Sequence, residues 1–192
     1  CIRLGKALDQ FSLAWYEDMV PWQLTDQWKR LAESVDTPVC TGEDIYLKEN
    51  FLPLFESRAI AVAHPDIASS GGILETKKIG DLAQEYGIAM ALHMAMSPVA
   101  ALAAVHCAAA TENFMVLENH SVDEIDKWSQ LVEGLPVPLI EDGHIIVPEG
   151  PGLGLTGINE EVLCDFVDSE RPGIFEPTAA WDGERAHDRL WS

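Results

Sequence analysis

The chain has 192 residues, of which 47% are hydrophobic, and its formal net charge is −20 at pH 7. This length and hydrophobic content are typical of one globular domain with a sizeable core, and they exclude an intrinsically disordered protein. The negative charge argues against nucleic acid and anionic membranes as partners, and no apolar run has the length of a membrane span. The four cysteines form no CxxC pair, which favours a reducing cytoplasm over a disulfide framework.

The segment at positions 1–11, CIRLGKALDQF, has apolar residues near helical spacing. This pattern predicts a helix that begins before residue 1, since no capping residue precedes it. We therefore expect the chain to be the C-terminal part of a longer protein.

Short apolar runs then alternate with helical patterns. Strands are predicted at about 12–16, 38–42, 59–63, 88–92 and 114–117. Helices are predicted at about 24–35, 47–57, 72–86 and 97–110. Strands and helices that alternate with short connections are typical of parallel βαβ units, so we expect an α/β fold.

The pattern changes after position 118. A hairpin is predicted from Val137–Ile140 and His144–Val147 around Asp142-Gly143. A Gly-rich loop at 150–157 follows, but it lacks the lysine and the strand–helix setting of a phosphate-binding loop. Asn159 to Val167 is predicted to be a short helix with Asn159 as its cap.

Each of the five predicted strands ends at or close to an ionisable residue. These residues are 26, 23, 27 and 25 positions apart, which is one βα unit each time: Glu17, Glu43, Asp66, His93 and Glu118. A single carboxylate at a strand end is more often a solvated cap or a salt-bridge partner. In a (β/α) barrel, however, the carboxyl ends of all strands converge on one mouth, where catalysis takes place. We therefore expect the five side chains to share one site.

The residue types suit metal-assisted proton transfer. Glu17 and Glu43 offer the hard oxygen ligands that Mg²⁺ prefers, although a third protein ligand is also expected. His93 can transfer a proton near neutral pH, and Asp66 could fix its tautomer through the far ring nitrogen. Glu118 could order a substrate carboxylate. His64 could face the barrel interior or only pack, and we favour packing.

Five segments resemble the enolase superfamily, in its mandelate racemase and sugar-acid dehydratase branch: WYEDMVP, TGEDIY, HPDIASSGG, MALHMAMSP and MVLENHS. The resemblance extends from about residue 2 to 167. It implies that Glu17 and Glu43 are the second and third metal ligands, that Asp66 and His93 form a His–Asp dyad, and that Glu118 hydrogen-bonds an enolate intermediate. Asp18 replaces the second glutamate that the family usually has at the first motif.

The resemblance implies a fold and an activity. Residues 1–135 would be the C-terminal part of an enolase-type (β/α) barrel with five parallel strands and outer helices. Residues 136–192 would pack on this barrel or on an absent capping domain. The implied reaction is the Mg²⁺-dependent dehydration of a sugar acid through α-proton abstraction, which gives a 2-keto-3-deoxy acid. His93 could be the base or the acid of this reaction.

Several alternatives remain open at this point. Asn119, His120 and Ser121 are candidates for contacts with substrate hydroxyls, and an ordinary polar loop is an equal alternative for them. A racemase or epimerase of the same branch would use the same enolate. A non-catalytic half-barrel that needs a partner chain is a hypothesis from another class, since the first metal ligand of the family is missing here. Members of the family commonly form homo-oligomers, so we expect one here too.

Overall fold

The structure is a computed structural model that describes residues 1–95, 97–120, 127–135 and 138–166. Five strands form one parallel sheet, in which the spatial order is the chain order β1-β2-β3-β4-β5. The strands are β1 Tyr16–Glu17, β2 Val39–Thr41, β3 Val62–Ala63, β4 Ala89–Leu92 and β5 Phe114–Leu117. The predicted series of five consecutive parallel strands is therefore confirmed.

Helices alternate with these strands and pack on one another along the sheet. Their bounds are α1 Ile2–Leu8, α2 Thr25–Ala32, α3 Lys48–Glu56, α4 Gly72–Glu85, α5 Pro98–Ala109 and α6 Glu160–Cys164. Ser97 caps α5, where its side chain accepts a hydrogen bond from the Ala100 N–H, and Pro98 occupies the first turn. Among the described residues, no helix combines the length and the apolar character needed to cross a bilayer.

Side chains alternate between the two faces of the sheet, and the central strands β2, β3 and β4 are buried on both. On the helix-facing side, Val39 and Ala63 belong to a core that includes Trp28, Phe51 and Ile79, all fully buried. On the opposite side, a small cluster forms from Cys40, Val62 and Ala91, with Trp15 packed against it. Parallel strands that are buried on both faces are expected to read as continuous apolar runs, as these do.

Two strands begin several residues later than the sequence predicts. The first was expected at 12–16 but begins at Tyr16, because Ser12 adopts a left-handed conformation after a 3₁₀ turn and Leu13 is 44% exposed. The third was expected at 59–63 but consists of Val62–Ala63. Ala59 instead closes the turn that follows α3, since its N–H donates to the Leu54 carbonyl. Burial alone therefore does not place a residue in a strand.

The predicted hairpin is limited to its tight turn. Glu141 and His144 exchange two backbone hydrogen bonds of 2.9 Å around Asp142-Gly143, but no longer ladder is present between 138 and 147. Pro138 and Pro148 bracket this segment, and proline lacks the N–H that a ladder needs. Val137 lies outside the described residues.

The antiparallel pair in this region is a different one. β6 (Val132–Glu133) pairs with β7 (Gly157–Ile158). The Asn159 cap is observed, since its side chain accepts from the Val162 N–H, and the helix ends at Cys164. The predicted end of this helix at Val167 lies outside the described residues.

The C-terminal segments contact the end of the barrel near β4 and α5. Trp128 and Leu139 are buried with Met94 and Leu102, and residues of the Gly-rich loop pack around them. Because Met94 directly follows His93, this packing holds the chain just beyond the fourth strand. The boundary near residue 135 stays a prediction.

Candidate active site

The carboxyl ends of the five strands bring the five predicted side chains to one edge of the sheet. Glu17 is the last residue of β1, His93 directly follows β4, and Glu118 directly follows β5. Asp66 and His93 form an isolated parallel bridge just beyond β3 and β4. These positions follow from the strand register, which aligns neighbouring strand ends at similar heights.

A short hydrogen bond joins His93 to Asp66. His93 Nδ1 lies 2.7 Å from Asp66 Oδ2, and the other oxygen of Asp66 accepts from the Ala68 N–H at 2.7 Å. Asp66 is buried. Because an ionised carboxylate only accepts, Nδ1 carries the proton of this bond and the Nε2 atom is left to face the site.

The electrostatics of this pair favour its charged form. Burial alone would lower the pKa of His93, but the hydrogen bond that His93 donates to Asp66, helped by the charges of Glu118 and Glu43, raises the pKa above its ordinary value. Burial would raise the pKa of Asp66, but the hydrogen bonds from His93 and the Ala68 N–H lower it. Both shifts favour an imidazolium beside a carboxylate.

Two further carboxylates face the free nitrogen of His93. His93 Nε2 lies 3.2 Å from Glu43 Oε2 and 3.4 Å from Glu118 Oε2. Glu118 is held in place by the Met94 N–H, which donates to its Oε2 at 3.1 Å. A proton on Nε2 would thus lie between two strand-end acids, in a part of the mouth that solvent can reach.

Three acids form a compact group at the ends of β1 and β2. Glu17, Asp18 and Glu43 each offer one carboxylate oxygen, and these oxygens lie within 4.8 Å of one another. Burial, together with the neighbouring acids, raises the pKa of Glu43 although His93 opposes this. Burial and Glu17 also raise the pKa of Asp18, against the hydrogen bond from Thr41. The negative charges of this group destabilise one another, and a bound cation would relieve them.

Trp15 contributes to the site in a way that sequence reasoning missed. Its indole Nε1 donates to Glu17 Oε2 at 2.7 Å. This bond orients the carboxylate that ends β1. No signal in the sequence indicates this contact, because Trp15 precedes β1 and its orientation depends on how the segment before the strand turns.

His64 also faces the site, although packing was the favoured interpretation. The residue is only 2% exposed, and its Nε2 lies 3.6 Å from Glu17 Oε2 and 3.7 Å from Glu118 Oε2. It is two positions after Val62, whose side chain faces the barrel interior. The period-two alternation of a strand therefore predicts the orientation of His64, and this signal was available in the sequence.

The candidate substrate-contacting residues are placed differently from one another. Asn119 lines an apolar cavity of about 450 Å³ beside α5 and β5, together with Phe114 and Ile145. His120 is exposed, and its N–H donates to the Met94 carbonyl at 3.3 Å. The structure thus keeps His120 next to the strand ends and turns Asn119 towards the edge of the sheet. Ser121 lies outside the described residues.

Comparison with known proteins identifies relatives along most of the chain. Residues 1–162 match the family model described as "Enolase C-terminal domain-like". A D-xylonate dehydratase from Haloferax volcanii is 39% identical over 168 residues, which cover 88% of this chain and 40% of that protein. An arabinonate dehydratase from Saccharolobus solfataricus is 29% identical over 170 residues, covering 85% of this chain and 43% of that protein.

Solved structures show the same similarity. A mandelate racemase/muconate lactonizing enzyme-like protein from Rubrobacter xylanophilus superposes with a TM-score of 0.82 at 38% identity, over 89% of this chain and 43% of that one. The chain therefore spans about two fifths of the length of the relatives described here.

Proposed function

Because the chain belongs to the Enolase C-terminal domain-like family, we propose that it forms the acid–base half of an active site that dehydrates a sugar acid. The observation that carries this proposal is the His93–Asp66 hydrogen bond of 2.7 Å, with His93 Nε2 aimed between Glu43 and Glu118. The names of relatives, which include D-xylonate and arabinonate dehydratases, support sugar acids as the substrate class. Since the chain spans about two fifths of these relatives, the activity is proposed for the complete protein.

Glu17 and Glu43 would hold Mg²⁺. The fit rests on the oxygen atoms of Glu17, Asp18 and Glu43, which lie within 4.8 Å of one another, and on the raised pKa of Glu43, which burial and the neighbouring acids cause. Such a group of hard oxygen donors suits a small divalent cation. When bound, Mg²⁺ would neutralise the substrate carboxylate and so make the α-proton more acidic. The third protein ligand is expected in the part of the protein outside this chain.

His93 would act as the general acid for the departing hydroxyl. Asp66 holds the ring through Nδ1, and the raised pKa of His93 favours a proton on Nε2. That proton would pass to the 3-hydroxyl of the substrate as the C3–O bond breaks, so that water rather than hydroxide leaves. The α-proton would pass to an opposing base, which the resemblance places outside this chain. Its electron pair would form the C2–C3 double bond, and the resulting enol would become a 2-keto-3-deoxy acid.

Glu118 would bind the carboxylate group of the substrate. Its position is fixed by the Met94 N–H, and its Oε2 lies 3.4 Å from His93 Nε2. A carboxyl group placed there can hydrogen-bond a substrate carboxylate oxygen while negative charge develops on it during enolisation.

The test is an activity screen of the complete protein. A panel of aldonates and aldarates is incubated with the protein and Mg²⁺, and 2-keto acid formation is followed as the semicarbazone. We expect the protein to form keto acid from at least one sugar acid. EDTA should abolish this activity, and added Mg²⁺ should restore it. An epimerised sugar acid without loss of water would instead identify a racemase or epimerase, and no reaction with any member would favour a non-catalytic half-barrel.

A further inference from the structure

His64 holds a polar atom that the proposed chemistry does not use. The residue is 2% exposed and directly follows β3, and within the described part of the chain its Nε2 has no hydrogen-bond partner. Buried polar atoms are rarely left unpaired, so an unpaired one at an active-site mouth calls for an explanation. A bound ligand is one explanation, because it would supply the missing partner.

The orientation of the ring is fixed from behind. His64 Nδ1 lies 3.0 Å from the Ala91 carbonyl oxygen on the neighbouring strand. A carbonyl oxygen only accepts, so Nδ1 must carry a hydrogen, and in the neutral ring Nε2 is then an acceptor. The backbone is fixed as well, because the His64 N–H donates to the Thr41 carbonyl. Gly42 packs closely against the same residue, since a Cβ at position 42 would lie 2.7 Å from the His64 carbonyl carbon.

The atoms around Nε2 define what can bind there. Glu17 Oε2 and Glu118 Oε2 lie 3.6 and 3.7 Å away, beyond hydrogen-bonding distance, and His93 meets the ring edge-on with ring centroids 5.4 Å apart. The lone pair of Nε2 and the carboxylate of Glu17 both accept hydrogen bonds. A group that fits among them must donate, as a hydroxyl does.

We infer that His64 is a substrate-contacting residue, whose Nε2 accepts a hydrogen bond from the 2-hydroxyl of the sugar acid. The inference rests on the proposed function, which places the metal at Glu17 and the substrate carboxylate at Glu118. His64 Nε2 lies beside both groups, so the hydroxyl on the carbon next to the carboxylate is the one within its reach. This contact would orient C2 for loss of its proton.

The test uses two unreactive inhibitors in the complete protein with Mg²⁺. They are the 3-deoxy and the 2,3-dideoxy derivatives of the sugar acid that the protein dehydrates best, and they differ only in the 2-hydroxyl. The ratio of their inhibition constants measures the contribution of that hydroxyl. The matched variant is His64→Asn, since an asparagine amide can still donate to the Ala91 carbonyl but reaches no further.

The expected result is that His64→Asn reduces this ratio by about three- to tenfold, which is the range for one neutral hydrogen bond. An unchanged ratio would overturn the inference, because a purely structural role of His64 would weaken both inhibitors equally. If His64→Asn does not fold, ¹⁵N spectra of the wild-type protein provide the test. The 3-deoxy acid should shift the His64 Nε2 resonance and the 2,3-dideoxy acid should not, and equal shifts would overturn the inference.

These outcomes separate the two proposals. If sugar acids are dehydrated and the inhibitor ratio does not depend on His64, only the present inference fails. If no sugar acid is dehydrated, the proposed function fails, and the inference fails with it.

Discussion

His93 Nδ1 and Asp66 Oδ2 lie 2.7 Å apart, although the two residues belong to different βα units. The contact exists because β3 and β4 are adjacent and parallel, so that their carboxyl ends lie side by side. It joins a proton-transfer group to a buried acid at the edge of the sheet where the strand-end carboxylates meet. This arrangement generates the first two predictions.

Replacing His93 with asparagine should remove proton transfer and keep the side chain similar in size. In the complete protein we expect kcat to fall by about 10²–10⁴-fold, the usual contribution of general acid–base catalysis. Asp66→Asn should cost less, because it leaves the imidazole in place. Steady-state kinetics on the best sugar acid measure both variants, and wild-type turnover by His93→Asn would remove His93 from the mechanism.

The pH dependence of the reaction should follow the raised pKa of His93. The general acid must be protonated, so kcat should be maintained at low pH and fall as the pH rises through the raised pKa. Burial lowers this pKa, and the Asp66 hydrogen bond is the largest interaction that raises it. Asp66→Asn should therefore move the fall in kcat to lower pH. A pH–rate profile that is the same for wild type and Asp66→Asn would contradict this assignment.

Loss of either proposed metal ligand should weaken Mg²⁺ binding. Glu17→Gln and Glu43→Gln each remove one negatively charged oxygen ligand, so titration calorimetry of the complete protein should show a Kd raised by about tenfold or more. The matched control is Glu56→Gln, an exposed acid at the end of α3. Equal affinity in wild type and in both site variants would show that the ion binds elsewhere.

Asp9 should stabilise the fold in a pH-dependent way. Its carboxylate accepts hydrogen bonds from the N–H groups of Asp36 and Thr37 and from the Tyr16 hydroxyl, and so ties the segment after α1 to β1 and to the entry of β2. Burial opposes ionisation, but these bonds lower the pKa from 3.8 to about 2. A lowered pKa stabilises the folded state above pH 3.8, and this stabilisation is lost as the pH falls towards 2.

Asp9→Asn should therefore lower the Tm of the complete protein at pH 7, and the difference from wild type should shrink as the pH falls below 3.8. Thermal unfolding at several pH values measures this. Asp36→Asn is the control, because it keeps the backbone N–H that Asp9 accepts from. A Tm difference that is constant from pH 7 to pH 3 would mean that the Asp9 charge plays no part.

The sequence predicts the positions of the site residues better than their contacts. Glu17, His93 and Glu118 could be placed at one edge because each follows an apolar run, and parallel strands must end together. The indole of Trp15 could not be assigned to Glu17, since that bond depends on how the segment before β1 turns. The left-handed Ser12 that sets this turn leaves no periodic signal.

Other differences have a similar cause. Asn119 directly follows Glu118, yet its side chain lines the cavity beside β5. Neighbouring residues on an extended segment point to opposite faces, so adjacency to a site residue does not predict a shared site. Within the predicted hairpin at 137–147, the described residues 138–147 form only a turn with one bridge, because the prolines that flank them limit the ladder. The hydrophobic pattern alone does not show how far the strand pairing extends.

The most direct measurement of the central claim is a ¹H NMR spectrum of a sugar acid incubated in D₂O with the complete protein and Mg²⁺. We expect the signal of the C2 proton to disappear while the signals of a 2-keto-3-deoxy acid appear, and His93→Asn should suppress the new product. An epimer of the starting acid as the only product, or product formation at the wild-type rate by His93→Asn, would contradict the dehydration mechanism proposed here.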